Sequence, residues 1–233
     1  MKVALVGYGK MGRLLDELAP EYGADVTLRL DEHNNANGAG MTPENFAGIQ
    51  VAIEFSIPSV TVANIERLAA LGVHVVVGTT GWTEQLDRVQ EVVARTGIGL
   101  VWSPNYSIGV NVFMKIVAEA ARLMQPQPQY GASAWEIHHA AKKDAPSGTM
   151  LKLLDEMRHH GYTHNVDVAS NRGGAHPGTH EILFDSGADT IALRHTARSR
   201  EGFARGAWMA AQWIAGKNGC HEFSEVLFGE EKS

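Results

Sequence analysis

Val3-Ala4-Leu5-Val6 is an unbroken apolar run, the pattern of a strand buried on both faces. Behind it Met11, Leu14, Leu15 and Leu18 recur at helical spacing until Gly23, and residues 25–30 (DVTLRL) read as a second strand closed by Asp31. The rhythm continues with a strand at 51–56, a helix at 59–71 carrying Val62, Ile65, Leu68 and Ala69 on one face, and a strand at 73–78. A helix at 84–95 and a strand-like stretch at 98–105 follow. Such alternation predicts a parallel sheet covered by helices on both faces. After about residue 106 the pattern changes. A long helix is predicted at 110–124, with Val110, Phe113, Met114, Val117 and Leu123 apolar, and QPQPQ breaks it. Strand patterns at 132–139, 166–170, 180–186 and 189–197 then surround a single strong helix at 149–160, which reads as an α+β unit with a largely antiparallel sheet. The amphipathic stretch 202–219 is expected to be helical and to return to the first domain.

The turn after the first strand adds chemistry. Gly7-Tyr8-Gly9-Lys10-Met11-Gly12 lies between a strand and a helix, with Asp31 19 residues beyond its third glycine. That is the context of the dinucleotide fingerprint: Gly7 for the tight turn, Gly9 for approach to a pyrophosphate, Gly12 for close helix packing, and an acid for the ribose. The phosphates would sit at the helix N-terminus, where free N–H groups and the helix dipole favour anions. In a parallel sheet ligands lie at the carboxyl ends of strands, where Phe55-Ser56, Gly78-Thr79-Thr80-Gly81 and Pro104-Asn105-Tyr106 all fall. The fold class is therefore α/β. It comprises an N-terminal Rossmann dinucleotide-binding domain over 1–105, rejoined by 202–233, and a C-terminal α+β substrate domain over 106–201.

Charge and composition narrow the partners. The net charge of −6 argues against bulk attraction to nucleic acid, so an anionic ligand needs a local basic cluster. The single cysteine, Cys220, cannot form an internal disulfide. No apolar run approaches the ~18 residues of a membrane span, and the first residues follow a strand pattern rather than that of a signal peptide. No membrane partner and a cytoplasmic location are expected.

Residues 136–149, EIHHAAKKDAPSGT, supply the cluster. Strand alternation puts Trp135 and Ile137 on one face and Glu136 and His138 on the other. Lys142 and Lys143 follow in a loop. Pro146-Ser147-Gly148-Thr149 then opens a helix with Met150, Leu151, Leu154 and Met157 as its apolar stripe and Gly161 as its stop. Ser147 or Thr149 can cap it, leaving the Gly148 and Thr149 N–H groups pointing outward. A helix N-terminus and a lysine are two donor sets, which suit a substrate with two carboxylates, and a histidine beside them supplies a proton near neutral pH. His176 and His180, four apart in HPGTH, have a zinc-ligand spacing only on a helix, which Pro177 and Gly178 disfavour; no metal is expected.

The stretch resembles the dihydrodipicolinate reductase family, whose pattern is roughly E-x-H-H-x-x-K-x-D-x-P-S-G-T, matched here at every fixed position. GYGKMG, VGTTGW (77–82), SPNYSIGVN (103–111) and RGGAHPGTHEILF (172–184) are similar as well, so the resemblance runs from residue 1 to beyond 200. It implies reduction of 4-hydroxy-tetrahydrodipicolinate by NAD(P)H in diaminopimelate and lysine biosynthesis, and a homotetramer formed through the sheet of the second domain. By this resemblance His138 is the general acid and Lys142 holds a substrate carboxylate and aids protonation; both are catalytic. His139, Gly148 and Thr149 are further substrate contacts. The cofactor residues implied are Gly7, Gly9, Lys10, Met11, Gly12, Asp31, Phe55, Ser56, Gly78, Thr79, Thr80, Asn105 and Tyr106. Relatives that accept NADPH well often carry arginines where this chain has Glu32 and Ile57. NADH is therefore expected to be preferred and NADPH to work more weakly, with Lys10 the nearby cation able to offset the acids and Arg13 less able to reach. An amino-acid dehydrogenase of similar build would not predict the His-His…Lys…Pro-Ser-Gly-Thr set, and a nucleotide-sensing module would need neither His138 nor Lys142.

Overall fold

The structure is a computed structural model and describes residues 1–229. Its elements in chain order are β1 (Lys2–Val6), α1 (Lys10–Leu18), β2 (Asp25–Leu30), β3 (Val51–Glu54), α2 (Pro58–Ala70), β4 (His74–Val77), α3 (Leu86–Thr96) and β5 (Gly99–Trp102). Then come α4 (Ile108–Met124), β6 (Gly131–His138), α5 (Gly148–His159), β7 (Val166–Arg172), β8 (Thr179–Asp185), β9 (Thr190–Thr196), α6 (Glu201–Ile214), β10 (Gly219–Glu222) and α7 (Phe223–Phe228). Two compact units result. One is Met1–Ile108 with the chain from Glu201 onward, the other Gly109–Arg200.

In the first unit a six-stranded sheet runs β10-β5-β4-β3-β1-β2, every pair parallel. Alternate strand residues feed two cores. Ala4, Val6, Ala52, Val75 and Val77 pack with Val62, Ile65 and Leu68 of α2 and Val89, Val92 and Val93 of α3. Val3, Leu5, Ile53, Val76 and Val101 pack with Leu15 and Leu18 of α1 and Ala207, Trp208 and Ala211 of α6. Both faces are covered, which is why these strands read as unbroken apolar runs. The strand order reverses at β1 and β3, and the crevice beyond their carboxyl ends is where such sheets bind ligands.

The C-terminal segment departs from the expected single helix over 202–219. The helix stops at Ile214, Gly216 and Gly219 turn the chain at φ of 79° and 102°, and Gly219–Glu222 adds the sixth strand beside β5. Gly-Cys-His-Glu has neither alternation nor an apolar run, so only the free edge of β5 makes it a strand. In α6 small residues admit close approach: a Cβ at Gly206 would lie 1.8 Å from the Tyr106 carbonyl oxygen. Gly206→Ala is expected to destabilise the protein by about 1–3 kcal/mol, read from urea unfolding; an unchanged midpoint would show that α6 can move away from that carbonyl.

In the second unit the sheet order is β7-β6-β8-β9. β8 is antiparallel to β6 and β9, as expected of a largely antiparallel sheet, but β6 and β7 are parallel because α5 carries the chain back between them. One face carries Ala134, Glu136 and His138 in register with Ile182, His180 and Arg172. It turns toward a core of Val110, Phe113 and Met114 of α4 and Met150, Leu153 and Met157 of α5. So the polar pair Glu136 and His138 lies on the buried face, while Trp135 and Ile137 are only half-buried on the other.

Candidate active site

A cavity of about 700 Å³ opens over the carboxyl ends of β1, β2 and β3. The three fingerprint glycines each have a geometric reason. Gly7 has φ 95° and an added Cβ would lie 2.1 Å from the Phe55 carbonyl oxygen, so the loop crosses the end of β3 in close contact. Gly9 faces open space, leaving its backbone approachable, and a Cβ on Gly12 would lie 2.4 Å from the Gly7 carbonyl oxygen. The cavity brings together Gly7, Gly9, Asp31, Phe55 and Ser56 of the expected cofactor residues, with Glu32, Arg13 and Arg67. Asp31 accepts the His33 and Asn34 N–H groups at 2.9 and 3.2 Å, which shape the turn and hold its carboxyl below the usual range. Lys10, expected to be the nearby cation, is exposed on α1 and does not line the cavity, whereas Arg13 does. Arg67, near the end of α2, is the cation the sequence reading missed; its guanidinium lies against Gly38, where a Cβ would come within 2.5 Å of Cζ.

Met11, Gly12, Gly78, Thr79, Thr80, Asn105 and Tyr106 also lie outside this cavity lining. Thr79 and Ser56 are tied to Glu54, a fully buried carboxylate at the end of β3: Thr79 Oγ1 donates at 2.6 Å, Ser56 Oγ donates, and Asn64 donates at 3.3 Å. Burial pushes the Glu54 carboxyl up despite these donors. Phe55 lies against Gly78, where a Cβ would come within 2.0 Å of its ring, so that glycine is a packing requirement. Tyr106 is buried, and its hydroxyl donates toward the Val77 and Val101 carbonyls at 3.0 and 2.9 Å. It ties the ends of β4 and β5 together instead of presenting a side chain to a ligand. The Asn105 side chain accepts the Ser107 N–H at 2.9 Å, and Thr80 is exposed.

The second unit gathers a cluster of titratable groups. Ser147 is the N-cap of α5, accepting the Met150 N–H at 3.2 Å. Asp144 pairs with Lys142 Nζ at 2.8 Å, and this lysine first, with the nearby Gly148 N–H adding a smaller share, holds its carboxyl low. A carboxylate thus already occupies the place where Lys142 and the start of α5 converge. Thr149 is half-buried in the same turn, and His139 is half-buried just beyond β6. Glu136, fully buried, accepts the Ser147 N–H at 2.9 Å, Ser170 Oγ at 2.9 Å, Arg172 Nη2 at 3.0 Å and the Ser147 hydroxyl. Burial alone would raise its carboxyl; these donors outweigh it and hold it low. His138 Nδ1 points at Glu136 Oε2 from 3.7 Å, is buried, and makes no hydrogen bond. The His180 ring meets His138 edge-on at 5.0 Å, with Nε2 3.1 Å from Ser147 Oγ and 3.5 Å from Glu136 Oε2. Burial, then His138, pushes His180 down to about 4, so it is neutral near neutral pH. Burial also lowers His138, with Glu136 opposing it and Lys142 and Arg172 adding to it. Glu136, His138 and His180 offer three ligand atoms within 4.8 Å of one another. Glu136 already accepts four hydrogen bonds, one from a guanidinium, so this cluster suits a proton better than a cation.

The sequence model of the dihydrodipicolinate reductase N-terminus matches residues 1–106, and that of its C-terminus matches residues 109–227. The chain belongs to the dihydrodipicolinate reductase family. A 4-hydroxy-tetrahydrodipicolinate reductase of Christiangramia forsetii is 32% identical over 97% of this chain and 98% of the relative. Another, of Methanoregula boonei, is 33% identical over 100% and 99%. Among solved structures, a dipicolinate-bound dihydrodipicolinate reductase from Paenisporosarcina sp. TG-14 shares the fold at TM-score 0.81 and 21% identity, covering 97% of this chain and 99% of that one. The protein is therefore an oxidoreductase of this family, which uses a nicotinamide dinucleotide and a dicarboxylate substrate, and membership supports the family's reaction in diaminopimelate and lysine biosynthesis.

Glu54, Arg67, Glu136, Arg172 and His180 stand beside the candidate residues in the structure and were not assigned a role from the sequence. Glu136, Arg172 and His180 fall inside family-like stretches, and strand alternation also puts Glu136 on the face of His138. Glu54 reads as a flaw in an apolar strand, and Arg67 as ordinary helix surface.

Proposed function

We propose that this chain reduces 4-hydroxy-tetrahydrodipicolinate, passing hydride from the nicotinamide to C4 of the dehydrated ring while His138 protonates the resulting enamine carbon. The Lys142 ammonium holding a carboxylate at 2.8 Å just ahead of the start of α5, close in the chain to a buried histidine, carries this reading. In the reaction the substrate's own carboxylate takes the place of Asp144. His139 and Thr149 complete the substrate contacts, and Gly7, Gly9, Asp31, Phe55 and Ser56 hold the dinucleotide. A homotetramer through the β7-β6-β8-β9 sheet and a cytoplasmic location fit this reading; among the described residues no helix is long and apolar enough to cross a membrane. Loss of reduced-nicotinamide absorbance with freshly prepared substrate and each cofactor in turn tests it, and no oxidation with either cofactor would reject it.

NADH is the preferred cofactor in this reading. Asp31 and Glu32 both line the cavity, and with Asp31 on the ribose the 2′-phosphate of NADPH would meet two carboxylates. Arg13 and Arg67 offset part of that repulsion and keep NADPH usable. NADH is expected to exceed NADPH roughly tenfold in kcat/KM, the effect being screened by solvent. Arg67→Ala should lower kcat/KM for NADPH by roughly 2- to 5-fold while NADH changes less than about 2-fold. Equal kcat/KM for both cofactors in the unmodified protein would remove the preference.

A further inference from the structure

We propose that Glu136 is a positioning residue for the acid, receiving the Nδ1 proton of His138 when the ring is charged and so holding Nε2–H toward the substrate. This rests on the reading of His138 as the proton donor. Glu136 is completely buried and fixed by three residues from two elements: Ser147 at the start of α5, and Ser170 and Arg172 on β7. A carboxylate so anchored cannot swing away to solvent. Its Oε2 edge faces His138 Nδ1 at 3.7 Å, too long for a hydrogen bond, and that nitrogen is buried with no other partner. A buried ring nitrogen without a partner is costly, and a charged ring would remove the cost by closing onto the carboxylate. The opposite edge of the ring lies beside Gly178, where an added Cβ would sit 3.1 Å from Nε2 and Cδ2; the missing side chain leaves room there for a reacting molecule. A histidine whose Nδ1–H is held by a carboxylate presents its other nitrogen in one defined protonation state.

The charged and titratable groups facing His138 come from every neighbouring element. Glu136 is on its own strand, Arg172 on β7 and His180 on β8, with Lys142 and Asp144 in the loop that follows. Beyond His180 lies His195 on β9, whose ring is tilted against that of Phe113 at 5.9 Å. Glu136→Gln keeps the shape of the side chain and one carbonyl oxygen for the Ser147 N–H, Ser170 and Arg172. Its amide would face His138 Nδ1 and the Ser147 hydroxyl, both of which can accept. The variant therefore folds with the same neighbours but favours the neutral ring.

The acid must be protonated to act, so kcat/KM falls as pH rises through its pKa. Removing the carboxylate lowers that pKa, and in Glu136→Gln the basic limb is expected to move down by about one pH unit, roughly tenfold in activity on the basic side. Affinity for NADH, read by fluorescence titration, should change less than about twofold, because the dinucleotide residues are on the other unit. In a His138→Ala background the same substitution should cost almost nothing further, since Glu136 acts only through that ring. An unmoved basic limb in Glu136→Gln, or fully additive losses in the double variant, would overturn the proposal even if His138→Ala abolishes turnover. Wild-type turnover in His138→Ala would overturn the acid reading and this proposal with it. Should Glu136→Gln fail to fold, ring-nitrogen NMR of the unmodified protein decides. The His138 pKa must rise when pyridine-2,6-dicarboxylate binds with cofactor, with Nδ1 hydrogen-bonded in the charged form; a free Nδ1 contradicts it.

Discussion

His138→Ala is expected to lower kcat by ~10²–10⁴-fold, the usual worth of a positioned general acid, while NADH affinity stays unchanged. The proton goes to carbon, so water is a poor substitute. The ring lies on the buried face of β6, with only 7% of the residue exposed. Burial is the main force keeping it neutral when no substrate is present, and Lys142 and Arg172 add to it. Two substrate carboxylates bring the opposite charge and favour the imidazolium. The basic limb of kcat/KM, which reports the free protein, is thus expected below the ordinary histidine range, and that of kcat, which reports the bound complex, above it. Stopped-flow and steady-state profiles with NADH would show this split. Coincident limbs would mean that substrate charge does not reach the ring.

Lys142→Ala should raise KM and lower kcat together. A charge-assisted hydrogen bond to a carboxylate is worth roughly 1.5–3 kcal/mol, which is about 10- to 150-fold in kcat/KM. The resting contact between Lys142 and Asp144 shows that this ammonium already holds a carboxylate, 2.8 Å away. Removing it also leaves the Asp144 charge unneutralised beside the incoming substrate, so the loss should sit at the upper end. Binding of pyridine-2,6-dicarboxylate, followed calorimetrically with NADH present, should weaken in parallel. Unchanged KM and kcat would remove Lys142 from the carboxylate site.

The α/β rhythm, the fingerprint turn and the lysine-histidine loop were all legible along the chain. Each rests on local spacing: apolar runs where two faces are covered, glycines where backbone meets backbone, and a serine at the start of a helix. Residues 219–222 were not, because their strand exists only by pairing with an edge formed about 120 residues earlier in the chain. Tyr106 followed a strand end like a ligand residue, yet packing turned its ring inward and spent its hydroxyl on two carbonyls. Lys10 sat in the right motif, but helix geometry pointed the cavity at Arg13 and Arg67 instead. The sequence by itself determined the glycine turn after β1 and the run of histidines and lysines that leads into a serine-capped helix. Only the tertiary structure decided which buried groups surround them. Glu136, Arg172 and His180 come from three strands and meet because β6 lies between a parallel and an antiparallel neighbour, and a desolvated charge must find its partners across the sheet.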